Sequence, residues 1–457
     1  MTLPPALPLP SPLQTLLWIR KPVEVMNYGQ RHYGHAFRVQ LPGLDLALFS
    51  DPDSIRTIFA GKSDEMHAGQ FNSILRTLVG ESSVLLLDGD EHMRHRRLLM
   101  PSFHGERMRH YGNTMAAITR DSIATWREDS PFSLHKYTQE ITLQIILRTV
   151  FGADEGAELH DLNTTIKRLL VNAENPLIMP TLIYLSRNPR SETRVPFRWL
   201  LRGREETDAL LYRQIAARRA AQRAHTGRPR TDVLAMLMQA RDENGEPMTD
   251  RELRDELMTA LAAGHETTAT SLAWAIERIA STPDVHARLR AEVDDAGGLN
   301  ATPERIAGLP YLDATIKEVL RSRPVIPAVG RVLQKPEVIG GYAMPAGAIA
   351  SACVYLAHQN PAVYPDPEVF RPERFTTAQP EPTTWLPFGG GIRRCIGAQF
   401  ATYEMKVVLH TMLAACDFTL AQPTPAKIVR RAITFWPEGG TVVRIKRRRA
   451  PVLAAAE

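Results

Sequence analysis

One stretch near the C-terminus, from Phe388 to Gly397, constrains the fold and chemistry of this 457-residue chain most strongly. It places a single cysteine, Cys395, after a glycine-rich loop and before a helix-like run from Gln399 to Ala415. Glycines let backbone N–H groups approach a sulfur atom closely, and the positive end of a following helix stabilises an anion. Two arginines before the cysteine add positive charge. The pattern predicts a thiolate that serves as a soft metal ligand, with haem iron as the main case, and not an inert cysteine in a tight turn.

A second long feature is a helical pattern from Asp250 to Ser281. Leucine and isoleucine recur along it at the spacing of one helix face. Thr249 and Asp250 offer an N-cap, and Pro283 marks the end. At about 1.5 Å per residue the helix would span roughly 50 Å, enough to cross the whole molecule.

The centre of this helix, residues 263–268, reads Ala-Gly-His-Glu-Thr-Thr. Glycine and β-branched threonine both lower helix propensity. A threonine hydroxyl here can bond to a carbonyl one turn back in an ordinary buried helix, or it can open the helix to another ligand, and the spacing alone allows both. A zinc-protease motif is excluded, because Ala269 holds the position of its second histidine.

Both motifs resemble elements of one protein family. The spacing from Phe388 to Gly397, Phe-x-x-Gly-x-Arg-x-Cys-x-Gly, resembles the haem-binding loop of the cytochrome P-450 superfamily. Residues 263–268 resemble the oxygen-binding groove of the central helix in that family. The resemblance covers nearly the whole chain. It implies a mainly α fold with small β-sheets, in which residues 1–457 form a single cytochrome P-450 domain with the long central helix over the haem.

The resemblance also implies haem b as the cofactor. Cys395 would be the axial iron ligand, Arg393 would pair with a haem propionate, and Phe388 would pack on the ligand side of the haem. His92 and Arg96, one helical turn apart, resemble the propionate-binding helix of the family. The implied haem-binding residues are His92, Arg96, Ala263, Gly264, Arg331, Phe388, Arg393, Cys395 and Gly397.

The same resemblance implies the catalytic and structural residues. Thr267 would hydrogen-bond dioxygen or its water, and Glu266 would help to relay protons. Glu318, Arg321 and Arg374 would form a buried charged triad that locks the loop on the haem side. The alternative for a Glu-x-x-Arg pair is a surface ion pair, which contributes little to stability.

The residues expected to face substrate are small or apolar, which fits a hydrophobic substrate held mainly by shape. Each of them also fits a plain core position. They are Ser83, Val84, Ala262, Ala263, Ile326, Ala328 and Val329.

No flavin-binding or nucleotide-binding motif accompanies these elements, so electrons are expected from a separate ferredoxin or flavodoxin and its reductase. A small acidic partner is attracted by basic charge, and Arg94, Arg97 and Arg394 are expected to present that charge to solvent.

The expected function is that of a haem-thiolate monooxygenase, which inserts one atom of dioxygen into a fatty acid, terpenoid, steroid or macrolide-like molecule. The alternatives are a peroxide-using or rearranging haem-thiolate enzyme and a non-enzymatic haem-binding sensor.

Composition adds further expectations. The net charge of +5 is smaller than nucleic-acid binding usually needs, so no nucleic-acid partner is expected. Three cysteines are too few for a disulfide framework and favour a reducing compartment, with Cys353 and Cys416 as small core residues. No apolar run approaches the roughly 20 residues of a membrane span. We expect a soluble, cytoplasmic monomer without a transmembrane segment.

The rest of the chain divides as follows. About residues 1–20 form a Pro-rich N-terminal segment, and about residues 446–457 form a basic tail. Paired strands are expected on either side of Pro42–Gly43, with further strands at Arg331–Leu333 and Ile349–Ser351.

Overall fold

The chain forms two compact units. Unit 1 comprises Met1–Lys62, Met108–Thr142 and Glu266–Glu457, and unit 2 comprises Ser63–Arg107 and Leu143–His265. The assignment of the chain to one domain stays a prediction. The computed structural model describes residues 2–103, 107–152, 161–168, 178–187, 198–224, 230–377, 379–422 and 424–448.

Helices dominate the described residues. The α-helices are Ser11–Arg20, Pro22–Tyr33, Pro52–Ala60, Ala68–Phe71, Arg76–Val79, Gly89–Leu99, Arg107–Ala124, Leu134–Phe151, Ile178–Arg187, Arg198–Arg223, Val233–Gln239, Asp250–Ala280, Pro283–Asp295, Pro303–Ala307, Pro310–Ser322, Val354–His358 and Ala398–Ala415, and residues 161–168 are helical as well. Short 3₁₀ turns lie at Asn72–Leu75, Met100–Phe103, Gly298–Asn300, Pro372–Phe375, Gly391–Arg393 and Glu438–Gly440.

The strands are short and belong to small sheets, so the predicted mainly α class with small β-sheets is confirmed. In unit 1, one sheet places Ala36–Leu41, Leu44–Phe49, Ile349–Ala352 and Val329–Leu333 side by side in that order. A second sheet has Val442–Arg448 between Phe132–Ser133 and Cys416–Leu420, and two hairpins pair Glu337–Ile339 with Tyr342–Met344 and Ile428–Arg431 with Thr434–Pro437. Unit 2 carries the short strand Met66–His67.

The first hairpin forms where the sequence predicts it. Ala36–Leu41 pairs antiparallel with Leu44–Phe49 through the turn Pro42–Gly43. Gly43 has φ +69°, a left-handed conformation that glycine adopts without steric cost. The predicted strands at Arg331–Leu333 and Ile349–Ser351 are also confirmed, each with one or two more residues.

The helix Asp250–Ala280, called the central helix below, agrees with its predicted bounds to within one residue. Its start is a capping box, in which the N–H of Glu252 donates to the Thr249 hydroxyl and the N–H of Thr249 donates to the Glu252 carboxylate. These bonds satisfy two donors that a helix start leaves unpaired. The boundary between unit 1 and unit 2 falls within this helix, after His265.

Both terminal segments contain regular secondary structure. Ser11–Arg20, inside the expected Pro-rich segment, is a helix. The first residues of the expected basic tail belong to the strand Val442–Arg448, where Arg448 forms an ion pair of 2.8 Å with Glu128. Pairing with Cys416–Leu420 therefore holds this charged segment in a strand. Residues 449–457 lie outside the described residues. Among the helices of the described ranges, none has both the length and the apolar character that crossing a bilayer requires.

Candidate active site

Cys395 lies in a loop that folds back on itself in unit 1. Its backbone N–H donates to the carbonyl oxygen of Phe388 at 2.9 Å, and the N–H of Arg394 donates to the carbonyl oxygen of Gly391 at 3.1 Å. Gly397 is the N-cap of the helix Ala398–Ala415. The thiol therefore stands between a closed loop and the positive end of a helix, as the sequence pattern predicts.

The glycines of this loop are required by the close approach of another segment. Gly391 has φ +61°, and a Cβ atom there would overlap the carbonyl oxygen of Phe59. A Cβ at Gly390 would overlap the ring of the same phenylalanine. Phe59 belongs to the helix Pro52–Ala60, so this helix and the loop pack with no room for side chains between them.

Only one of the three cysteines suits a haem ligand. Burial raises the pKa of Cys353 to about 12 and that of Cys416 to about 11, because a buried thiolate loses its hydration. Cys395 is exposed, and none of the three forms a disulfide. The donor set thus fits a haem whose iron takes one thiolate.

Arg331 approaches the same region from the strand Val329–Leu333. Its guanidinium lies 5.7 Å from the centre of the Phe59 ring, within the range of a cation–π contact. Its Nη1 donates to the carbonyl oxygen of Gly330 at 2.9 Å. Phe59 therefore contacts Arg331 and lies directly against the cysteine loop, so two of the predicted haem-side elements meet at this ring.

The central helix runs unbroken through its Ala-Gly-His-Glu-Thr-Thr stretch. Ala263 is exposed, and Gly264 and Thr267 are half-buried, whereas Leu261 and Thr268 are buried. Ala263 and Thr267 are one turn apart and so share a helix face. This face leaves an accessible surface in the middle of an otherwise buried helix.

Glu266 is held by two side chains from the first part of the helix Leu134–Phe151, which belongs to unit 1 as Glu266 does. Gln139 Nε2 donates to Glu266 Oε2 at 2.7 Å. On the other carboxylate oxygen, Oε1, the Thr270 hydroxyl donates at 3.4 Å and His135 Nε2 lies 3.4 Å away. The side chain retains 22% exposure, so the carboxylate combines a fixed orientation with access to solvent.

The predicted charged triad is brought together in unit 1. Arg321 donates from Nε and Nη2 to the two carboxylate oxygens of Glu318, at 2.7 and 2.8 Å, and both side chains are fully buried. Arg374 Nε lies 3.5 Å from Glu318 Oε1, and the N–H of Arg371 donates to the same oxygen at 2.9 Å. The surface ion-pair alternative is therefore wrong for Glu318 and Arg321.

Two buried groups near these elements were not predicted from the sequence. His358 accepts a hydrogen bond from the backbone N–H of Leu386, close to the cysteine loop. Glu404 is fully buried on the helix after that loop; burial raises its pKa well above the ordinary value, against the effect of a hydrogen bond from Thr268. Lys406 lies two residues from Glu404, so the local charge pattern gave no signal that Glu404 is buried.

Unit 2 contains the other predicted haem-side residues. His92 is buried and Arg96 is half-buried on the helix Gly89–Leu99. Arg94 on the same helix was expected to face solvent; its side chain is 26% exposed, and it donates to Asp242 and to Glu252 at 2.6 Å each. The two carboxylates neutralise its charge.

Arg97 is exposed, as expected, and pairs with Glu243 at 2.9 Å. Arg394, in unit 1, is also exposed.

The residues expected to face substrate differ in exposure. In unit 1, Ile326, Ala328 and Val329 are half-buried. In unit 2, Ser83 is completely buried and its hydroxyl lies 2.6 Å from that of Thr259. Its side chain is therefore held against Thr259 of the central helix, and its predicted contact with substrate stays a prediction. Val84 is buried and Ala262 is half-buried.

Comparison with known proteins places this geometry in a family. The family model described as Cytochrome P450 matches residues 3–442. The chain belongs to the cytochrome P450 family. This P450 is 40% identical over 450 residues to cytochrome P450 135B1 of Mycobacterium tuberculosis, which covers 98% of this chain and 92% of the relative. It is 35% identical over 447 residues to cytochrome P450 135A1 of the same species, with 97% and 95% covered.

A solved structure is similar as well. The retinoic acid-bound cyanobacterial CYP120A1 superposes on this P450 with a TM-score of 0.81 at 26% identity, covering 98% of this chain and 100% of the other. The P450 fold, the oxidoreductase class and a haem with a cysteine thiolate ligand follow from the family. The protein is therefore a haem-thiolate monooxygenase that uses dioxygen, a hydrophobic substrate and a redox partner.

Proposed function

We propose that Cys395 supplies the thiolate ligand of the haem. The observation that carries this assignment is the contrast among the cysteines: Cys395 is exposed in a closed loop, whereas Cys353 and Cys416 are buried with raised thiol pKa values. When bound, the haem supplies the redox chemistry that activates dioxygen. Phe388 and Gly397 then act by shaping the loop, the first through its carbonyl bond to Cys395 and the second as the helix N-cap.

Cationic side chains hold the haem propionates in this proposal. The residues proposed for this task are Arg393, Arg331, His92 and Arg96. Guanidinium groups suit this task because they form charge-assisted hydrogen bonds with carboxylates. Ala263 carries only a methyl group and Gly264 carries no side chain, so the central helix can lie close to the cofactor.

Proton supply is assigned to Thr267 and Glu266. The Thr267 hydroxyl holds dioxygen or its water by a hydrogen bond, and the Glu266 carboxylate passes protons towards it. The bond from Gln139 Nε2 fixes Glu266 Oε2, while 22% exposure lets the carboxylate exchange protons with water. This division of work supports oxygen insertion over the peroxide-using and sensor alternatives, which need no proton relay.

The substrate is a hydrophobic small molecule: a fatty acid, terpenoid, steroid or macrolide-like compound. Half-buried Ile326, Ala328 and Val329 support this choice, because they offer apolar surface and no charged anchor. The retinoic acid bound by the cyanobacterial structure adds retinoids to the compounds to test.

Electrons come from a ferredoxin or flavodoxin and its reductase, attracted by basic charge. Arg394 is the remaining candidate for this contact, since Arg94 and Arg97 are both paired with carboxylates. The charge reversal Arg394→Glu is expected to slow reduction by an acidic ferredoxin at low salt, and Arg97→Glu serves as the control. Equal rates in both variants and the unaltered enzyme would remove Arg394 from the docking surface.

The ligand assignment is tested by Cys395→Ser. After haem reconstitution, the reduced carbon monoxide complex of this variant is expected to lose the thiolate-type Soret band. The control Cys416→Ala should keep it. A thiolate-type band in Cys395→Ser would refute the assignment.

The reaction type is tested by Thr267→Ala with Thr267→Ser as its control. We expect Thr267→Ala to consume reductant without forming product, while turnover with peroxide continues. The substrate used is the compound class that gives a saturable spin-state shift of the Soret band in a panel of fatty acids, terpenes, retinoids, steroids and macrolides. Full coupling in Thr267→Ala would favour the peroxide-using alternative.

A further inference from the structure

A short segment of unit 2, residues 79–85, is bound to the first half of the central helix. The backbone N–H of Ser82 donates to Asp255 Oδ2 at 2.8 Å, and the N–H of Val84 donates to Glu256 Oε1 at 2.9 Å. Both carboxylates are almost completely buried. Two adjacent helix residues therefore bind alternate N–H groups of one segment, which is built of consecutive turns.

The residue between those two N–H groups makes a third contact. The Ser83 hydroxyl lies 2.6 Å from the Thr259 hydroxyl, and it also accepts from the N–H of Leu85 at 3.2 Å. Thr259 in turn donates to the carbonyl oxygen of Asp255 at 2.7 Å. The serine is thus fixed to the helix one turn beyond the carboxylates.

The start of the segment is fitted to the same helix turn. Gly80 has φ +91°, and a Cβ atom there would overlap the carboxylate of Asp255. Arg254 Nη1 donates to the carbonyl oxygen of Val79 at 3.1 Å and to Asp255 Oδ1 at 2.7 Å. Arg254 therefore balances the negative charge of the Asp255 carboxylate that binds the segment.

Glu256 connects this segment to a third element. Its Oε1 atom, which binds the N–H of Val84, also lies 2.7 Å from His95 Nδ1, and His95 Nε2 lies 3.1 Å from Glu252 Oε1. His95 is buried on the helix Gly89–Leu99, which also carries His92 and Arg96. One carboxylate thus joins the segment, that helix and the central helix.

These contacts lie next to the proposed haem face of the central helix. Thr259 is one turn before Ala263, so the bound segment lies beside the helix just ahead of its exposed centre. We propose that Glu256, with Thr259, is a positioning residue for substrate recognition: it holds residues 82–84 at one border of the substrate site. This inference rests on the proposed function and adds a specificity role to that site.

The variants Glu256→Ala and Thr259→Val test the proposal in the haem-loaded protein. Glu81→Ala is the matched control, because Glu81 joins the same segment to Arg251 of the same helix through an exposed ion pair. Hydrogen–deuterium exchange at the amide of Val84, whose N–H binds Glu256, is expected to accelerate at least about tenfold in the two test variants and to stay unchanged in the control.

Ligand binding provides the second measurement. Econazole, a bulky azole, should bind the haem of both test variants about tenfold more weakly by Soret titration, whereas imidazole, which needs little of the substrate site, should bind as before. Unchanged amide exchange, or equal weakening of both ligands, would overturn the positioning role. If the unaltered protein showed no thiolate-type spectrum, the proposed function would be refuted instead. Failure of the positioning role and failure of the proposed function are therefore distinguishable.

Discussion

His358 Nε2 accepts a hydrogen bond of 2.8 Å from the backbone N–H of Leu386, two residues before Phe388. Its Nδ1 lies 3.0 Å from the carbonyl oxygen of Arg321, which can only accept, so the proton of the neutral ring is on Nδ1. Arg321 Nη1 donates in return to the carbonyl oxygen of His358 at 2.8 Å. The neutral imidazole therefore links the Glu318–Arg321 pair to the chain that enters the cysteine loop.

This link predicts a loss of stability in acid. Burial, followed by the charge of Arg321, lowers the pKa of His358 to about 3. An unfolded histidine titrates near about pH 6.5, so the unfolded state binds more protons as the pH falls below that value. The stability contributed by the neutral ring is present above about pH 6.5 and is lost towards pH 3, at up to about 1.4 kcal/mol per pH unit.

We expect His358→Gln, which cannot take up that proton, to lose less free energy of unfolding over the same pH range. Urea denaturation at a series of pH values measures the slope. His32→Gln, at an exposed histidine, is the control and should behave like the unaltered protein. If His358→Gln shows the unaltered slope, the neutral ring is not what acid disrupts.

Alanine substitutions at two glycines of the cysteine loop distinguish the cost of backbone strain from the cost of steric overlap. Gly389 and Gly391 both have positive φ values, +65° and +61°, but a Cβ at Gly389 meets open space whereas one at Gly391 overlaps the carbonyl oxygen of Phe59. We expect Gly389→Ala to cost roughly 1–2 kcal/mol of unfolding free energy and Gly391→Ala to cost clearly more. Gly391→Ala should also retain less haem, measured as the ratio of Soret to protein absorbance. Equal haem content in both variants would show that the contact with Phe59 does not matter.

Local signals in the sequence predicted the elements that local interactions build. The turn Pro42–Gly43 predicted the first hairpin, and Thr249 with Asp250 predicted the start of the central helix, where Thr249 and Glu252 exchange hydrogen bonds. The cysteine loop was predictable because the glycines, arginines and cysteine that support a thiolate all lie within one short stretch of the sequence. In each case the interacting residues are close in the sequence.

Contacts between residues distant in the sequence were not predictable in this way. Arg94 was expected to face solvent, but its partner Asp242 lies 148 positions away and carries no signal of the pairing. Ser83 was expected to meet substrate because it is small, and only the tertiary position of Thr259 shows that its hydroxyl is already bound. A charge pattern on one helix does not reveal which carboxylates another segment brings to it.

The buried Glu318–Arg321 pair predicts that replacing Arg321 destabilises the protein far more than replacing Arg371. Arg321→Met would leave the completely buried carboxylate of Glu318 without its bidentate partner, at a cost of about 3–5 kcal/mol. Arg371→Met is the matched control: its side chain reaches the exposed Asp366 at 3.3 Å, and this loss should cost less than about 1 kcal/mol. Denaturant midpoints for the two variants and the unaltered protein measure the difference. Similar midpoints for both variants would mean that the buried pair contributes no more than the exposed one.

The stability contributed by His95 is expected to change with pH in the direction opposite to that contributed by His358. Burial alone would lower its pKa, but hydrogen bonds and charge from Glu256 and Glu252 outweigh burial and raise it. The stability of the charged ring is therefore complete below about pH 6.5 and is lost as the pH rises through the raised value. We expect the neutral variant His95→Gln to show a flatter dependence of unfolding free energy on pH above about pH 6.5, measured by urea denaturation, with His32→Gln as the exposed control. Because the ring holds Glu256, amide exchange at Val84 should also accelerate as the pH rises, beyond the intrinsic effect of base, in the unaltered protein and not in His95→Gln. If the two proteins respond identically, His95 does not carry charge in the folded state.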